Sequence, residues 1–255
     1  MSPLRTVLLQ IARCSNADPV SGTPTACSTI VRSQRTTPAL FHVPEPWRGD
    51  IASAPLLFVS SNPSWNANDD SPAAAATDDE IAEYYTEGFP WAFPRKLMRD
   101  GRPGRRAVAF WAAIRARAAE LYECPRTSLV AGRDFALTEV VHCKSRDEIG
   151  VKAAARECID RHLKDVVQLS PARVVVLLGA VARQLFDPIE IGKPMERDWH
   201  GHRRWLVCLP HPNARGPRTL AALCSARHLV MLRDSLRQAV RVATETKETD
   251  RTPSS

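Results

Sequence analysis

The sequence predicts an α/β protein with three layers, α/β/α, built on a central, mostly parallel four-stranded sheet. Four short apolar runs have the length and composition of strands that are buried on both faces, at residues 56–59, 135–142, 173–180 and 205–210. Segments with helical periodicity separate these runs, as in parallel strands joined by crossover helices. We expect one domain over residues 1–245 and a disordered tail at residues 246–255, where no hydrophobic residue occurs.

In chain order, helical patterns lie at residues 5–11, 78–86, 107–122, 151–169, 180–185 and 219–243. Residues 15–37, rich in Ser, Thr, Asp and Pro, are predicted to be a loop unless another part of the chain holds them. Residues 187–203 are predicted to be a polar connection. The almost purely aliphatic run at residues 173–180 is expected at the centre of the sheet.

Composition favours a soluble globular protein, with 44% hydrophobic and 25% charged residues among 255. The net charge of +7 and the pI near 9.3 favour a polyanionic partner such as nucleic acid. No run reaches the roughly 18 apolar residues of a membrane helix, so we expect a cytoplasmic monomer. Seven cysteines without an export signal favour buried thiols or metal ligands over disulfides.

Polar motifs lie at the ends of three of the four predicted strands. They are Ser-Ser-Asn-Pro-Ser from Ser60, Thr-Glu-Val-Val-His-Cys from Thr138 and His-Pro-Asn from His211. Ligands of open α/β sheets bind beyond the carboxyl ends of the strands, and Pro63 would hold the Asn62 amide rigid at that edge. An Asn-Pro pair is also an ordinary turn, so Asn62 alone does not decide between the two interpretations.

An aromatic segment lies between two prolines at residues 88–94, Gly-Phe-Pro-Trp-Ala-Phe-Pro, and a basic segment follows it at residues 95–106. Aromatic faces beside cationic side chains hold single-stranded or extruded nucleotides. The alternative is an aromatic loop that fills the core next to a solvated basic surface.

Taken in order, the three motifs and the aliphatic strand before the last one resemble the uracil-DNA glycosylase superfamily. Their layout is most similar to its bacterial iron–sulfur branches, over about residues 55–243. The resemblance implies a monofunctional glycosylase of DNA repair, which flips uracil or a related deaminated base out of DNA and hydrolyses its N-glycosidic bond. The partner would be DNA containing uracil or abasic sites. The alternative is a catalytically weak member that holds abasic or single-stranded DNA.

The resemblance also implies roles for individual residues. Asn62 would position the attacking water, and His211 would donate a hydrogen bond to the departing base, whose developing charge needs such a donor. The other implied contacts are Ser61, Trp91, Phe93 and Glu139 to the flipped base, and Asn213, Arg215 and Arg218 to the duplex.

Glu139 stands where the superfamily carries a base-reading Asn, and Asn213 stands where it carries Ser. An ionised carboxylate only accepts hydrogen bonds, whereas an amide both donates to O4 and accepts from N3–H of uracil. Three explanations stay open: Glu139 is protonated in its pocket, another donor such as His142 or a backbone amide reads O4, or the preferred base differs.

Four cysteines match the superfamily's cluster ligands in their order along the chain: Cys14, Cys27, Cys143 and Cys158. The resemblance implies a structural four-iron four-sulfur cluster and no nucleotide cofactor. The first two cysteines are farther apart than is usual in those branches, and the alternative is that all four are buried or free thiols. Cys124, Cys208 and Cys224 are expected to be small apolar core residues.

Overall fold

A computed structural model describes residues 2–18, 25–66, 70–88, 95–97 and 103–249 of the chain. Its strands are β1 (Leu56–Ser60), β2 (Arg95–Leu97), β3 (Pro103–Ala107), β4 (Ala136–Glu139), β5 (Val174–Leu178), β6 (Met195–Trp199) and β7 (His202–Leu209). Its α-helices are α1 (Pro3–Ala12), α2 (Ala26–Ser33), α3 (Asp78–Glu83), α4 (Ala109–Tyr122), α5 (Val151–Cys158), α6 (Lys164–Leu169), α7 (Gly179–Arg183), α8 (Leu220–Leu223) and α9 (Ala226–Thr249). None of these helices is long and apolar enough to span a membrane.

The main sheet has five strands in the order β4-β1-β5-β7-β6. The first four are parallel, which confirms the predicted sheet, and β5 lies at its centre as expected. The fifth strand, β6, pairs antiparallel with β7 at one edge. Strands β2 and β3 form a separate antiparallel pair.

Helices cover both faces of this sheet and give the predicted three layers. One core contains apolar residues of α1, α2, α3, α5 and α6, and the other contains those of α4, α8 and α9. Alternate residues of β1 divide between them: Leu57 and Val59 face the first core, and Leu56 and Phe58 face the second. A strand buried on both faces explains why the sequence shows a continuous apolar run there.

Two segments carry more structure than the sequence suggested. Within the predicted loop, α2 begins at a capping box in which Thr25 and Ser28 each accept from the other's backbone N–H, and it buries Ile30. Strand β6 lies in the predicted polar connection. Only Trp199 of this edge strand is buried, so β6 lacks the apolar pattern of the other four strands.

Strand β4, which forms the edge of the sheet opposite to β6, is covered by the segment before β1. Arg48 and Leu137 exchange two backbone hydrogen bonds, of 2.7 and 2.9 Å, and the N–H of Glu45 donates to the carbonyl of His142 at 2.8 Å. The Thr138 hydroxyl donates to the Pro46 carbonyl at 3.0 Å. These contacts satisfy polar groups that an edge strand would leave open.

The helix predicted over residues 151–169 is continuous but not uniform. A π-helical turn at Ile159–Leu163 joins α5 to α6. At the carboxyl end of the chain α9 runs to Thr249, past the start of the predicted tail, and residues 250–255 lie outside the described residues.

Candidate functional site

The first two motifs meet at the carboxyl edge of the sheet. The N–H groups of Val140 and Val141 donate to the carbonyls of Ser60 and Ser61, both at 2.9 Å, so the ladder continues beyond β1 and β4. Farther on, the Ser145 N–H donates to the Pro63 carbonyl at 3.1 Å. The two loops are therefore fixed to each other, as parallel strands with a shared edge require.

Asn62 lies in this joined region and is half-buried. Its Nδ2 donates to the Pro63 carbonyl at 2.9 Å, and its Oδ1 accepts from the hydroxyl of the buried Ser61 at 3.3 Å. These two bonds define which amide atom is oxygen and hold the plane of the side chain. Oδ1 keeps a second lone pair that can accept a hydrogen bond from water.

His211 follows β7 at the same edge, with a half-buried ring. Its Nδ1 accepts from the Asn213 backbone N–H at 3.3 Å, so the proton of the neutral ring resides on Nε2. Burial lowers the pKa of His211, Arg117 lowers it further, and Glu148 opposes the shift. The site thus presents a neutral imidazole with a free Nε2–H donor.

Two neighbours fix the position of His211. Its ring lies 5.7 Å from that of Phe110, between centroids. On the other side, Gly179 approaches so closely that a Cβ built on it would stand 3.2 Å from the His211 Cβ. Gly179 has a φ of +84°, which other residues adopt only with strain. It starts α7, directly after the central strand.

The loop after His211 carries the predicted duplex contacts. Asn213 and Arg215 are exposed. Arg218 instead turns back and donates to the Pro212 carbonyl at 2.6 Å, while the buried Arg117 donates through Nε to the Arg218 carbonyl at 2.9 Å. Hydrogen bonds therefore fix the inner side of the loop, and its outer side is exposed to solvent.

Glu139, the predicted base-reading residue, lies at the end of β4 beside Ser60. It is 4% exposed, and its Oε2 has no hydrogen-bond partner within the described part of the chain. Burial raises the pKa of Glu139 well above its usual range, and Glu45 adds to the rise, while Ser60, Arg48 and Lys144 oppose it. Burial therefore favours the neutral form of this carboxyl group.

A buried ionic group surrounds Glu139, and the sequence did not indicate it. The Glu45 carboxylate forms ion pairs with Arg48 and with Lys144, whose Nζ lies 3.2 Å from Glu45 Oε2. Arg48 Nη1 also donates to the Tyr84 hydroxyl at 3.4 Å. Glu45 lies far from Lys144 in sequence, so only the pairing of its segment with the end of β4 shows the group.

The four candidate cluster ligands line one pocket, which we call the cysteine pocket: Cys14, Cys27, Cys143 and Cys158, with His142 and His162. All seven cysteines of the chain are free thiols. Cys27, Cys143 and Cys158 belong to the core of the α1–α2–α5 layer, whereas His211 contacts Phe110 of the opposite layer. The two groups thus occupy different faces of the sheet.

Backbone N–H groups face two of these sulfurs. Those of Asn16 and Ala17 face Cys14, and that of His142 faces Cys158. Burial nevertheless raises the pKa of both thiols, that of Cys158 to about 12. The Cys143 thiol donates to Cys27 and lowers its pKa. In the described part of the chain, no three or more His, Cys, Asp or Glu side chains are arranged to hold a single metal ion.

Both histidines of the pocket are buried and stay neutral. Burial lowers the pKa of His142 to about 4 and that of His162 to about 3. His142 lines the cysteine pocket, and its Nδ1 lies 2.8 Å from the Glu45 carbonyl. Trp91 and Phe93, the predicted stacking residues, lie outside the described residues.

Comparison with known proteins agrees with this arrangement. No curated protein matches the chain with significant similarity. The family model described as the uracil DNA glycosylase superfamily matches residues 46–226, which include all three strand-end motifs. The match covers well over half of the sequence, and the chain belongs to the uracil DNA glycosylase superfamily.

Proposed function

We propose that the protein is a monofunctional DNA glycosylase that removes uracil or a related deaminated base and leaves an abasic site. Membership of the superfamily indicates glycosylase chemistry on DNA in general. The observation that carries the finer proposal is the state of His211: a neutral ring, fixed through Nδ1, with Nε2–H available at the same sheet edge as Asn62.

Asn62 acts on the water. Its Oδ1 accepts a hydrogen bond from the attacking water and so orients the oxygen lone pair of that water toward the sugar carbon. An amide does not take up a proton in this pH range, so it positions the water without acting as a strong base. The bonds from Ser61 and to Pro63 keep the amide in place before substrate arrives.

His211 acts on the leaving group. Breaking the N-glycosidic bond leaves negative charge on the base, and Nε2–H donates to the carbonyl oxygen where this charge collects. A donor preorganised in this way contributes about 3–4 kcal/mol to catalysis. Because the ring is already neutral and held by the Asn213 N–H, little reorganisation accompanies the reaction.

Glu139 reads the base as a carboxylic acid. Its O–H donates to a carbonyl such as O4, and its other oxygen accepts from the neighbouring N–H, which is the pattern that an Asn amide offers. Deaminated bases share this adjacent carbonyl and N–H. Protonated Glu139 therefore supports a substrate class of deaminated bases, with uracil as its simplest member.

DNA is held by the outer side of the loop after His211, with Asn213 and Arg215 exposed there, and Arg218 supports the loop. Trp91 and Phe93 are proposed to stack on the flipped base, in keeping with the cost of extrusion, which is a few kcal/mol.

We also propose that the cysteine pocket holds a four-iron four-sulfur cluster. Its residues fit such a group: four thiols from separate elements share one pocket, and backbone N–H groups face the sulfurs of Cys14 and Cys158, as cluster thiolates require. When bound, the cluster would link α2 and α5 to the loop after β4. Since the pocket and His211 contact different faces of the sheet, the role of the cluster is structural.

Incubation with a uracil-containing oligonucleotide, followed by alkali, tests the glycosylase proposal. Strand scission is expected, and H211A should lower its rate by about 100-fold to 1,000-fold. N62A should lower it by about 100-fold because the water loses its orientation. Both variants should still bind the oligonucleotide.

The matched control for His211 is H202A, because His202 begins the same strand at the opposite edge of the sheet. It should cut at the wild-type rate. Absence of scission by the wild-type protein on uracil, hypoxanthine and xanthine oligonucleotides would contradict the proposal. Retained binding to abasic DNA would then favour the member that binds DNA without excising bases.

A further inference from the structure

The cysteine pocket contains polar atoms that nothing in the fold uses. Both ring nitrogens of His162 and the Nε2 of His142 are buried and have no hydrogen-bond partner among the residues that the structure describes. The two residues are 3% and 1% exposed, and their rings meet edge to face at 5.9 Å between centroids. Buried polar groups are nearly always paired, so unpaired nitrogens in one pocket point to a missing acceptor or donor.

The two rings differ in what they can offer. His142 Nδ1 lies 2.8 Å from the Glu45 carbonyl, which can only accept, so the proton of His142 is on Nδ1 and its Nε2 faces the pocket as a lone pair. His162 has no such partner. In any protonation state it carries at least one N–H, and that group has no acceptor in the pocket as it stands.

The backbone around His162 is also unusual. The residue belongs to the π-helical turn Ile159–Leu163, which begins directly after Cys158. Such turns occur mostly as single insertions in α-helices and are frequent at functional sites. Here the turn places an imidazole beside a candidate ligand within one continuous helix.

We propose that His162 donates a hydrogen bond to a sulfur atom of the cluster held by Cys14, Cys27, Cys143 and Cys158, and thereby raises its reduction potential. This inference rests on the cluster proposed above and does not depend on glycosylase activity. Hydrogen bonds to cluster sulfurs stabilise the more negatively charged reduced form. His142, whose N–H is committed to Glu45, is excluded as the ring donor.

Redox titration of anaerobically purified protein, followed by its visible spectrum, tests the inference. H162F keeps an aromatic ring but no donor, so its reduction potential should be more negative than that of the wild type at equal iron and sulfide content. H162N places a donor near the position of Nδ1, and H162Q places one near Nε2. One of these two variants should restore the wild-type potential and so identify the donating nitrogen.

Three results would overturn the inference. The first is a potential in H162F equal to that of the wild type, and the second is a shift of the same size in all three variants. The third is wild-type protein without iron and sulfide. If H162F does not load a cluster, iron retention by H162N or H162Q supports the hydrogen bond, whereas equal loss in all three overturns it. Excision of uracil, measured on the same preparations, reports separately on the proposed function.

Discussion

At the scale of single residues, the chemistry of the site depends on protonation states that neighbours impose. Burial raises the pKa of Glu139 and so favours its neutral form, and the charge of Glu45, which pairs with Arg48 and Lys144, adds to this shift. His211 stays a neutral donor because it is buried and its Nδ1 is already occupied. Neither state follows from the residue type alone.

Glu139 makes a prediction about stability and pH. Its folded-state pKa lies above the unfolded value, so the folded protein binds more protons, and the free energy of unfolding should fall as pH rises above about 4.5 until the folded pKa is passed. Glu139→Gln removes this titration. The variant should therefore gain stability relative to the wild type with increasing pH, as measured by urea unfolding from pH 5 to 8.5.

Glu80→Gln is the matched control. Glu80 is exposed, and hydrogen bonds from Thr77 lower its pKa, so its stabilising effect is present above the unfolded pKa and is lost only as pH falls through the folded pKa. Its difference from the wild type should be constant between pH 5.5 and 8.5. A constant difference for Glu139→Gln over the same range would contradict the assigned protonation.

The sequence predicted the positions of Asn62, Glu139 and His211, because each lies at or just beyond the end of a strand whose apolar pattern is clear. The sequence could not show that Arg48, Lys144 and His162 belong to a site. Their partners are distant along the chain, and an isolated Arg, Lys or His carries no pattern that predicts burial. The protonation of Glu139 was one of three open explanations, and the position of Glu45 beside it favours this one.

At the scale of elements, the turn between β5 and α7 lies against His211, the proposed catalytic histidine. Gly179→Ala should lower the rate of uracil excision by about tenfold or more, because the added methyl group displaces His211. Gly201→Ala is the control: its φ of +81° is similar, and nothing lies within 4 Å of the added atom. Both variants should lose about 1–2 kcal/mol of stability from backbone strain.

Alkali-dependent scission and thermal unfolding of the two glycine variants separate the effects. Equal loss of excision in both would show that backbone strain, and not contact with His211, limits activity.

The segment that covers β4 makes a second prediction at this scale. Arg48→Met should destabilise the protein by about 3–5 kcal/mol, because it leaves the buried Glu45 carboxylate with one partner fewer. The double variant Arg48→Met/Glu45→Gln should be more stable than Arg48→Met alone, because the second substitution removes the charge that has lost its partner. Lys193→Met breaks an exposed ion pair with Glu190 and should change the free energy of unfolding by less than about 1 kcal/mol.

Urea unfolding at pH 7 measures all four proteins. Arg48→Met and Lys193→Met could instead lower the free energy of unfolding by similar amounts. This result would mean that water solvates the Glu45 carboxylate in the Arg48→Met variant, and that the buried ionic group does not stabilise the edge of the sheet.

Elements differ in how far the sequence predicts them. The parallel strands were predicted because burial on both faces requires an unbroken apolar run. Strand β6 was missed because Met195–Trp199 is an exposed edge strand with a charged centre, and its pairing with β7 determines its structure. Helix α2 was missed because its Thr25 and Ser28 cap resembles the composition of a loop.

At the scale of the whole molecule, the sheet lies between the ring of His211 and the cysteine pocket. The proposed catalytic residues Asn62 and His211 follow its strands at the carboxyl edge, and the ring of His211 packs on the α4 side. The cysteine pocket lies in the core of the other side, among α1, α2 and α5. The order of the motifs along the chain predicted this layout as a family resemblance, but only the fold shows that the two sites lie on different faces.

The positive charge of the molecule makes the last prediction, which concerns where DNA binds. If the loop after His211 contacts phosphates, Arg215→Ala should weaken binding to a uracil-containing duplex and reduce the slope of log K against log salt concentration by about 0.9, the value for one phosphate contact. Arg156→Ala removes the same charge from α5, where the Arg156 side chain is 95% exposed. This control should leave the slope unchanged.

Fluorescence anisotropy between 50 and 200 mM salt, in the N62A background to prevent excision, measures both slopes. Equal slopes for the two variants would mean that the charge of Arg215 acts only as part of the net charge, and the DNA contact would have to lie elsewhere on the surface.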